Sequence, residues 1–499
     1  MKELGRWQTI SFLSRVVSQI IGMVSSVIIP TILTVGEFGV ISLANSIGKT
    51  FGVTQNLGLA SGSTREMSKS TNTNTDLSKI LFTSIFIKYL ISFPMAFGLF
   101  LFAEKLAIGK YSAPEAVLPL KIFAVILVVQ NIQSLFNSLI QAMQRFKLLF
   151  TYQIVIAVLN VCIFIPMVYM YRANGYFYAS FLFNTLASII LGILALWPLR
   201  HSFTLPTLSE FKAISKAVFV ISLGVYAVKI IFTFWEGIGP LVLGLHLDTT
   251  QIGYFSLALL YCAKLMTVSD SVTDVNLSVF SKQFSLDSVE FKKLFIPNYN
   301  KLFVIVSFIA MGALFWKFEI ITLLFQDKYL FSIDLIVPIM FGFVLYSFVN
   351  IFKSSIFVPA KMMMELIISY ASLLIGTALA YFVIFKFILL DRPLLAMATS
   401  LFIGALTCFM FMTYFGYKKL SLRFFTLGHL LLILLIFVCS QTGKLFDSYV
   451  MQVSITWYLL LAKLLVFAIY TSVFIYTVNA LKFISFSEIK GLLQTKHKA

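Results

Sequence analysis

Residues 43–50 read LANSIGKT, and the last three are how a nucleotide-binding P-loop ends. A P-loop needs glycine where this chain has Leu43, because bare backbone must wrap the phosphates there, and it needs a strand before it and a helix after it. The fragment instead lies inside an apolar run, residues 38–60. Gly48, Lys49 and Thr50 therefore belong to a membrane span, and the question becomes why a lysine stands in the middle of one.

The run at 38–60 is one of many. Hydrophobic residues make up 60% of the 499, charged residues 12%, and the mean hydropathy is +0.95. That balance excludes a water-soluble domain and defines an all-α polytopic membrane protein, with about fourteen apolar runs long enough to cross about 30 Å of hydrocarbon. The longest connections, 61–79, 198–216 and 276–296, are too short to fold as a separate enzyme domain. MKELGRW followed by an apolar run imitates a signal peptide, but the run at 8–33 is too long and is interrupted by Arg15, so it reads as a retained first span. The net charge of +18 would suit nucleic acid if it were clustered. It is concentrated instead in the connections on the side of the N terminus, the positive-inside pattern. That places both termini in the cytoplasm and sets nucleic acid aside as a partner. The four cysteines lie in spans without a CxxC pair and read as small apolar packers; the four histidines are scattered with no metal-ligand spacing. No cofactor-binding pattern appears.

Working outward from Lys49, EFGVISLA at 37–44 is echoed by QIGYFSLA at 251–258, and PTILTVGE at 30–37 loosely by PLVLGLHLDTTQ at 240–251. Each octapeptide opens the second member of a helix pair and precedes a mid-span lysine, Lys49 or Lys264. The separation equals about six spans, so the halves share an orientation and relate by an axis along the membrane normal. This predicts two pseudo-symmetric six-helix lobes, 1–200 and 201–420, with two additional helices and a basic tail over 421–499.

Four spans carry polar residues at alternating spacings of three and four, which places each set on one helix face. These are Ser11, Arg15, Ser18, Gly22 and Ser25; Ser42, Asn45, Lys49, Gly52 and Asn56; Ser222, Tyr226, Lys229, Thr233, Glu236 and Pro240; and Lys264, Thr267, Ser271, Asp274 and Ser278. The small and hydroxyl members suit helix-packing seams. The charges do not, because a charge at mid-bilayer costs about 2.5–3.5 kcal/mol unless hydrated or paired. Lys49, Lys229 and Lys264, with Arg15, are the candidate cations of a water-filled cavity suited to an anionic substrate. Glu236 and Asp274 are the candidate ion-coupling acids; Glu236 could titrate, bind a cation or partner a lysine across the cavity. Arg15, Lys88 and Lys463 lie nearer span ends and suit snorkelling; Arg15 stays a candidate because its helix carries the stripe. A further set on the fourth span, Gln130, Ser134, Asn137 and Gln141, fits helix packing and sugar contact equally.

GEFGVISLANSIGKTFGVTQNLGLASGSTREMSK at 36–69, VLGLHLDTTQIGYFSLALL at 242–260 and FEIITLLFQDKYLFSIDLI at 318–336 resemble polysaccharide flippases of the MOP exporter superfamily (multidrug, oligosaccharidyl-lipid, polysaccharide). One departure is Gln326, where such proteins often have glycine. The resemblance implies two lobes around a V-shaped cavity and rocker-switch alternating access in the bacterial cytoplasmic membrane. It also implies a substrate, an undecaprenyl-pyrophosphate-linked oligosaccharide moved from the cytoplasmic to the outer leaflet, with no enzymatic conversion. A gradient of ions or potential would drive the movement, and polymerase and other assembly proteins would be neighbours. The peptidoglycan-precursor (lipid II) flippase shares the architecture and is the alternative. A drug/cation antiporter would want acids in the first-lobe stripes, which hold none. An integral-membrane polymerase or glycosyltransferase would want a sizeable outer loop, whereas the largest, 104–117, holds only Glu104 and Glu115 as acids.

Overall fold

The computed structural model describes residues 2–56, 59–69, 74–143, 145–200, 203–270, 276, 280, 284, 288–452 and 457–483. Among these the chain is helical and has no strands. Hydrocarbon offers no hydrogen bonds, so a spanning segment must satisfy its backbone internally, and helices do so. Among the described residues, eleven helical stretches are long and apolar enough to cross a membrane. One of them, Lys147–Leu199, folds back on itself and serves as two. With the shorter apolar part of the first helix, Val17–Ile32, these cover thirteen of the expected fourteen; the remaining one, at 38–60, is a helix of 22 residues, Val35–Asn56, that is less apolar than the others.

The chain divides into two compact units, Met1–Leu257 and Ala258–Ala499. The lobe boundary at residue 200 follows the sequence repeat and remains a proposal about symmetry. The compact units divide later because α8 (Leu208–Leu243) packs on α2 (Val35–Asn56), α3 (Leu59–Lys69) and α4 (Asn74–Glu104).

In the first unit, α1 (Lys2–Ile32) packs along α7 (Phe146–Leu196). α7 is a hairpin. It reverses at Arg172, whose φ of 56° and ψ of −134° leave the helical region. Gly175 makes the reversal tight: a Cβ there would lie 2.0 Å from the Met167 carbonyl oxygen. The fourth span is broken at Asn131 into α5 (Val117–Gln130) and α6 (Gln133–Ala142). A break frees carbonyls that must be satisfied within the protein. Tyr89 Oη donates to Val128 O (3.0 Å), Ser188 Oγ to Val129 O (3.0 Å), and Lys88 Nζ to Asn131 O (2.5 Å) and to Ser134 Oγ. Lys88 is 1% exposed, so it does not snorkel; burial against the carboxyl end of α5 gives its charge a favourable dipole.

The two copies of the octapeptide meet each other inside this unit, at the start of α2 and the start of α9 (Thr249–Ala263). A Cβ on Gly39 would lie 1.7 Å from Thr249 O, and one on Gly253 would lie 2.1 Å from Val35 O. Ser256 Oγ donates to Ser42 Oγ at 2.6 Å. The contacts are reciprocal: Gly39 stands to Gly253 as Val35 to Thr249 and Ser42 to Ser256. Both helices also begin alike. Glu37 N donates to Thr34 Oγ1 and Gln251 N to Asp248 Oδ1, the T-x-x-E and D-x-x-Q starts that satisfy orphan amides.

In the second unit, α12 (Ile333–Phe352) is buried along nearly its whole length, against α10 (Ser288–Phe315) and α14 (Pro393–Leu420). α14 also packs along α13 (Met363–Phe387). The last two helices, α15 (Leu427–Gln452) and α16 (Trp457–Ala480), dock on α10. A buried ion cluster ties them to the short helix α11 (Lys317–Phe325). Lys463 Nζ lies 2.5 Å from Glu319 Oε1 and 2.7 Å from Asp447 Oδ1, and Lys317 Nζ lies 3.2 Å from Asp447 Oδ2. Lys463 is 1% exposed and also sits over the rings of Phe315 and Trp316, which corrects the snorkelling expectation.

Candidate functional site

The stripe on α2 separates into packing members and one exposed cation. Ser42 is engaged by Ser256, and Asn45 Nδ2 donates to Tyr176 Oη at 3.2 Å. Gly48 and Gly52 press against α5, where their Cβ atoms would come within 2.3 Å of Phe123 and 2.9 Å of Leu127. With that side sealed, Lys49 is left on the open side, its side chain 50% exposed. Its ammonium lies 3.4 Å from Glu236 Oε1 of α8. Of the three roles open to Glu236, partnering a lysine is the one this geometry realises. Such an exposed pair is worth only about 0.2–1 kcal/mol, less than a charge-assisted contact to phosphate at about 1.5–3 kcal/mol.

Lys229 lies two turns before Glu236 on α8 and is exposed. Around these two residues, Gly237 brings α8 close to Ser46 of α2, and Trp235 is buried behind them. The first unit thus gathers Lys49 and Glu236 directly and sets Lys229 on the same helix as Glu236. Lys264 belongs to the second unit, half-buried where α9 ends; there the ladder loosens, with Leu265 N donating to Cys262 O and Thr267 N to Lys264 O, and helix resumes at Met266. The stripe from Lys264 onward is accordingly not one uninterrupted helix face. Arg15 lies on α1, but its side chain falls outside the described residues, as does Asp274. On α1, Ser18 Oγ and Ser25 Oγ are buried with no hydrogen-bond partner among the described residues, and they flank Gly22, beside which no heavy atom of the described residues lies within 4 Å of a Cβ position. In the fourth-span set, Ser134 is engaged by Lys88, so its role is internal.

Sequence reasoning missed a second assembly, at the end of the first unit where α1 meets α2. Arg172, at the tip of the α7 hairpin, donates from Nε and Nη2 to Glu37 (3.1 and 2.8 Å) and from Nη1 to Ile32 O (2.8 Å). One guanidinium thus closes the carboxyl end of α1 and grips the acid that starts α2. The capping signature T-x-x-E was legible, but nothing local announced its distant arginine.

The first unit thus places a half-exposed lysine–glutamate pair amid the helices of a polytopic helical protein. Solved structures share this fold. The lipid II flippase MurJ in an inward closed conformation aligns with a TM-score of 0.66 at 15% identity, over 94% of this chain and 98% of that one. An inward-facing multidrug resistance MATE transporter of the MOP superfamily aligns at 0.63 and 12% identity, over 82% and 94%. The eukaryotic MATE transporter AtDTX14 aligns at 0.54 and 13% identity, over 82% and 98%. No curated protein sequence matches the chain. The chain belongs to the polysaccharide biosynthesis protein family, whose model matches residues 28–334.

Proposed function

We propose that this membrane flippase carries an undecaprenyl-pyrophosphate-linked oligosaccharide from the cytoplasmic to the outer leaflet of the bacterial cytoplasmic membrane for surface polysaccharide synthesis. Both termini are cytoplasmic in this reading, and the lobes 1–200 and 201–420 alternate access. The observation that carries it is the exposed ammonium of Lys49 beside Glu236, on a helix otherwise sealed by packing. A compact cation beside a weakly held carboxylate is suited to a phosphate. Arg15, Lys229 and Lys264 are the further cations proposed to engage the pyrophosphate. Glu236, and Asp274 with it, are proposed to couple the cycle to an ion gradient or the membrane potential. In the empty site Glu236 holds Lys49; the pyrophosphate takes its place, and the released carboxylate is free to exchange a proton or cation.

The test is native mass spectrometry of lipids retained by the purified protein. Masses of undecaprenyl-pyrophosphate bearing a surface-glycan repeat unit are expected. Retention of lipid II would favour the peptidoglycan-precursor alternative. Retention of neither would count against a lipid-linked substrate altogether.

A further inference from the structure

The Arg172–Glu37 clamp forms one wall of a cleft of about 610 Å³, and the other walls bring Glu115, Lys121, Tyr171 and Asn174 to it. Its volume lies in the range of about 300–1,000 Å³ that accommodates small molecules. The cleft is built where α1, α4, the first arm of α7 and α8 all end, so it opens at one end of the first unit. With a cytoplasmic N terminus, that end faces outward.

We propose that this cleft is a carbohydrate-binding site that receives, on the outer side, the sugar units of the lipid-linked oligosaccharide beyond the one joined to the pyrophosphate, a reading that rests on the flippase function and orientation proposed above. The charges of the lining argue for a neutral ligand: Glu37 and Glu115 balance Lys121 and Arg172. A net field would select an anion or a cation; a balanced set of donors and acceptors suits hydroxyls, which do both. Among the described residues, the side chains of Glu115 and Asn174 make no hydrogen bond or ion pair, so their polar groups are available. Arg172 uses three N–H groups on Glu37 and Ile32, while a guanidinium has about five. Tyr171 supplies the aromatic face against which the C–H side of a pyranose ring can stack. It is 51% exposed, and its ring meets Tyr178 edge-on at 5.8 Å, which fixes its plane. The clamp makes the site rigid, because Arg172 and Glu37 are held by two helix ends as well as by each other. An acyl chain would find too many polar groups here.

The test uses the full chain in proteoliposomes with two probes, the lipid-linked oligosaccharide isolated from the host and undecaprenyl-pyrophosphate bearing a single N-acetylhexosamine. Tyr171→Ala and Asn174→Ala should each slow flipping of the oligosaccharide by about 2–10-fold, the kinetic equivalent of losing one neutral hydrogen bond or ring contact. The single-sugar lipid should move at the wild-type rate, which also shows that the variants fold. Equal slowing of both lipids, or of neither, would overturn the site. If the wild-type protein moves neither lipid, the flippase reading fails on its own account. The cleft is then judged by protection of Asn174→Cys from an impermeant maleimide by the delipidated host oligosaccharide: protection supports it, and unaltered labelling overturns it.

Discussion

Gln326 has φ 59° and ψ −168°, a region that glycine adopts freely and side chains avoid. Strain of this kind costs on the order of 1–3 kcal/mol. The side chain is exposed, so little packing is lost on removing it. Gln326→Gly should therefore raise the thermal midpoint of the purified protein, and an unchanged or lowered midpoint would show that the strain is relieved by other means. The sequence marked this position as a departure from the pattern of similar proteins, and the backbone gives the physical reason for that pattern. Lys49 was equally legible, because a mid-span charge demands an explanation. Its partner was not, since Glu236 lies 187 positions away and only the α2–α8 packing brings them together. Lys88 and Lys463 were misread for the same reason: position along a span says nothing of what the neighbouring helices offer. At Lys49, glutamine should weaken binding of the pyrophosphate lipid by about 1.5–3 kcal/mol, and arginine should partly preserve it, because charge is retained. Binding that tolerates glutamine better than arginine would mark Lys49 as a packing residue.

At the scale of helices, the last pair, α15 and α16, is secured by Lys463, Asp447, Lys317 and Glu319. Removing one member of a buried ion set leaves an uncompensated charge, at a cost of about 3–5 kcal/mol. Asp447→Asn should thus loosen α15 and α16 selectively, seen as faster hydrogen exchange there with little change over residues 35–196. Uniform exchange changes would place the cluster outside the docking of this pair. The start of α8 makes a pH prediction. Thr207 and Glu210 form a reciprocal cap, and Lys79 lies 2.7 Å from Glu210. The hydrogen bond from Lys79, followed by that from the Thr207 backbone, pulls the Glu210 carboxyl down from the usual 4.5 to about 2. Because the folded value lies below the unfolded one, this stabilisation is complete above about pH 4.5 and is lost as pH falls towards 2. The first turn of α8 should fray over that window, and Glu210→Gln should abolish the pH dependence; fraying unaltered by the substitution would assign it to other groups. The cap was readable as T-x-x-E in TLSE, whereas Lys79 was not. The helix breaks at Asn131 and Lys264 were likewise invisible, because apolar composition continues through them and only the satisfied carbonyls reveal them.

For the molecule as a whole, the echo of EFGVISLA in QIGYFSLA was the most informative pattern, and the reciprocal contacts of Gly39 with Thr249 and Gly253 with Val35 give it a spatial meaning. Periodicity could find the stripes but could not say which members pack, since Ser, Gly and Asn serve seams and cavities alike. Ser42 and Ser256 are near enough, at 2.6 Å between hydroxyls, for a disulfide to replace them. If transport requires the start of α2 to part from the start of α9, oxidised Ser42→Cys/Ser256→Cys should stop it and reductant should restore it; full activity while cross-linked would exclude that movement. Orientation is checked separately by labelling Ser70→Cys or Ser285→Cys on intact cells, where reaction from outside would reverse the proposed direction. The central claim, that lysines of the membrane interior handle the pyrophosphate of a lipid-linked glycan, is tested most directly by one transport measurement. Purified wild-type protein and the Lys49→Gln/Lys264→Gln variant are reconstituted at equal amounts, and the arrival of the lipid-linked oligosaccharide in the opposite leaflet is followed. The account predicts flipping by the wild type and its near abolition in the variant; flipping at the wild-type rate by the variant would contradict it.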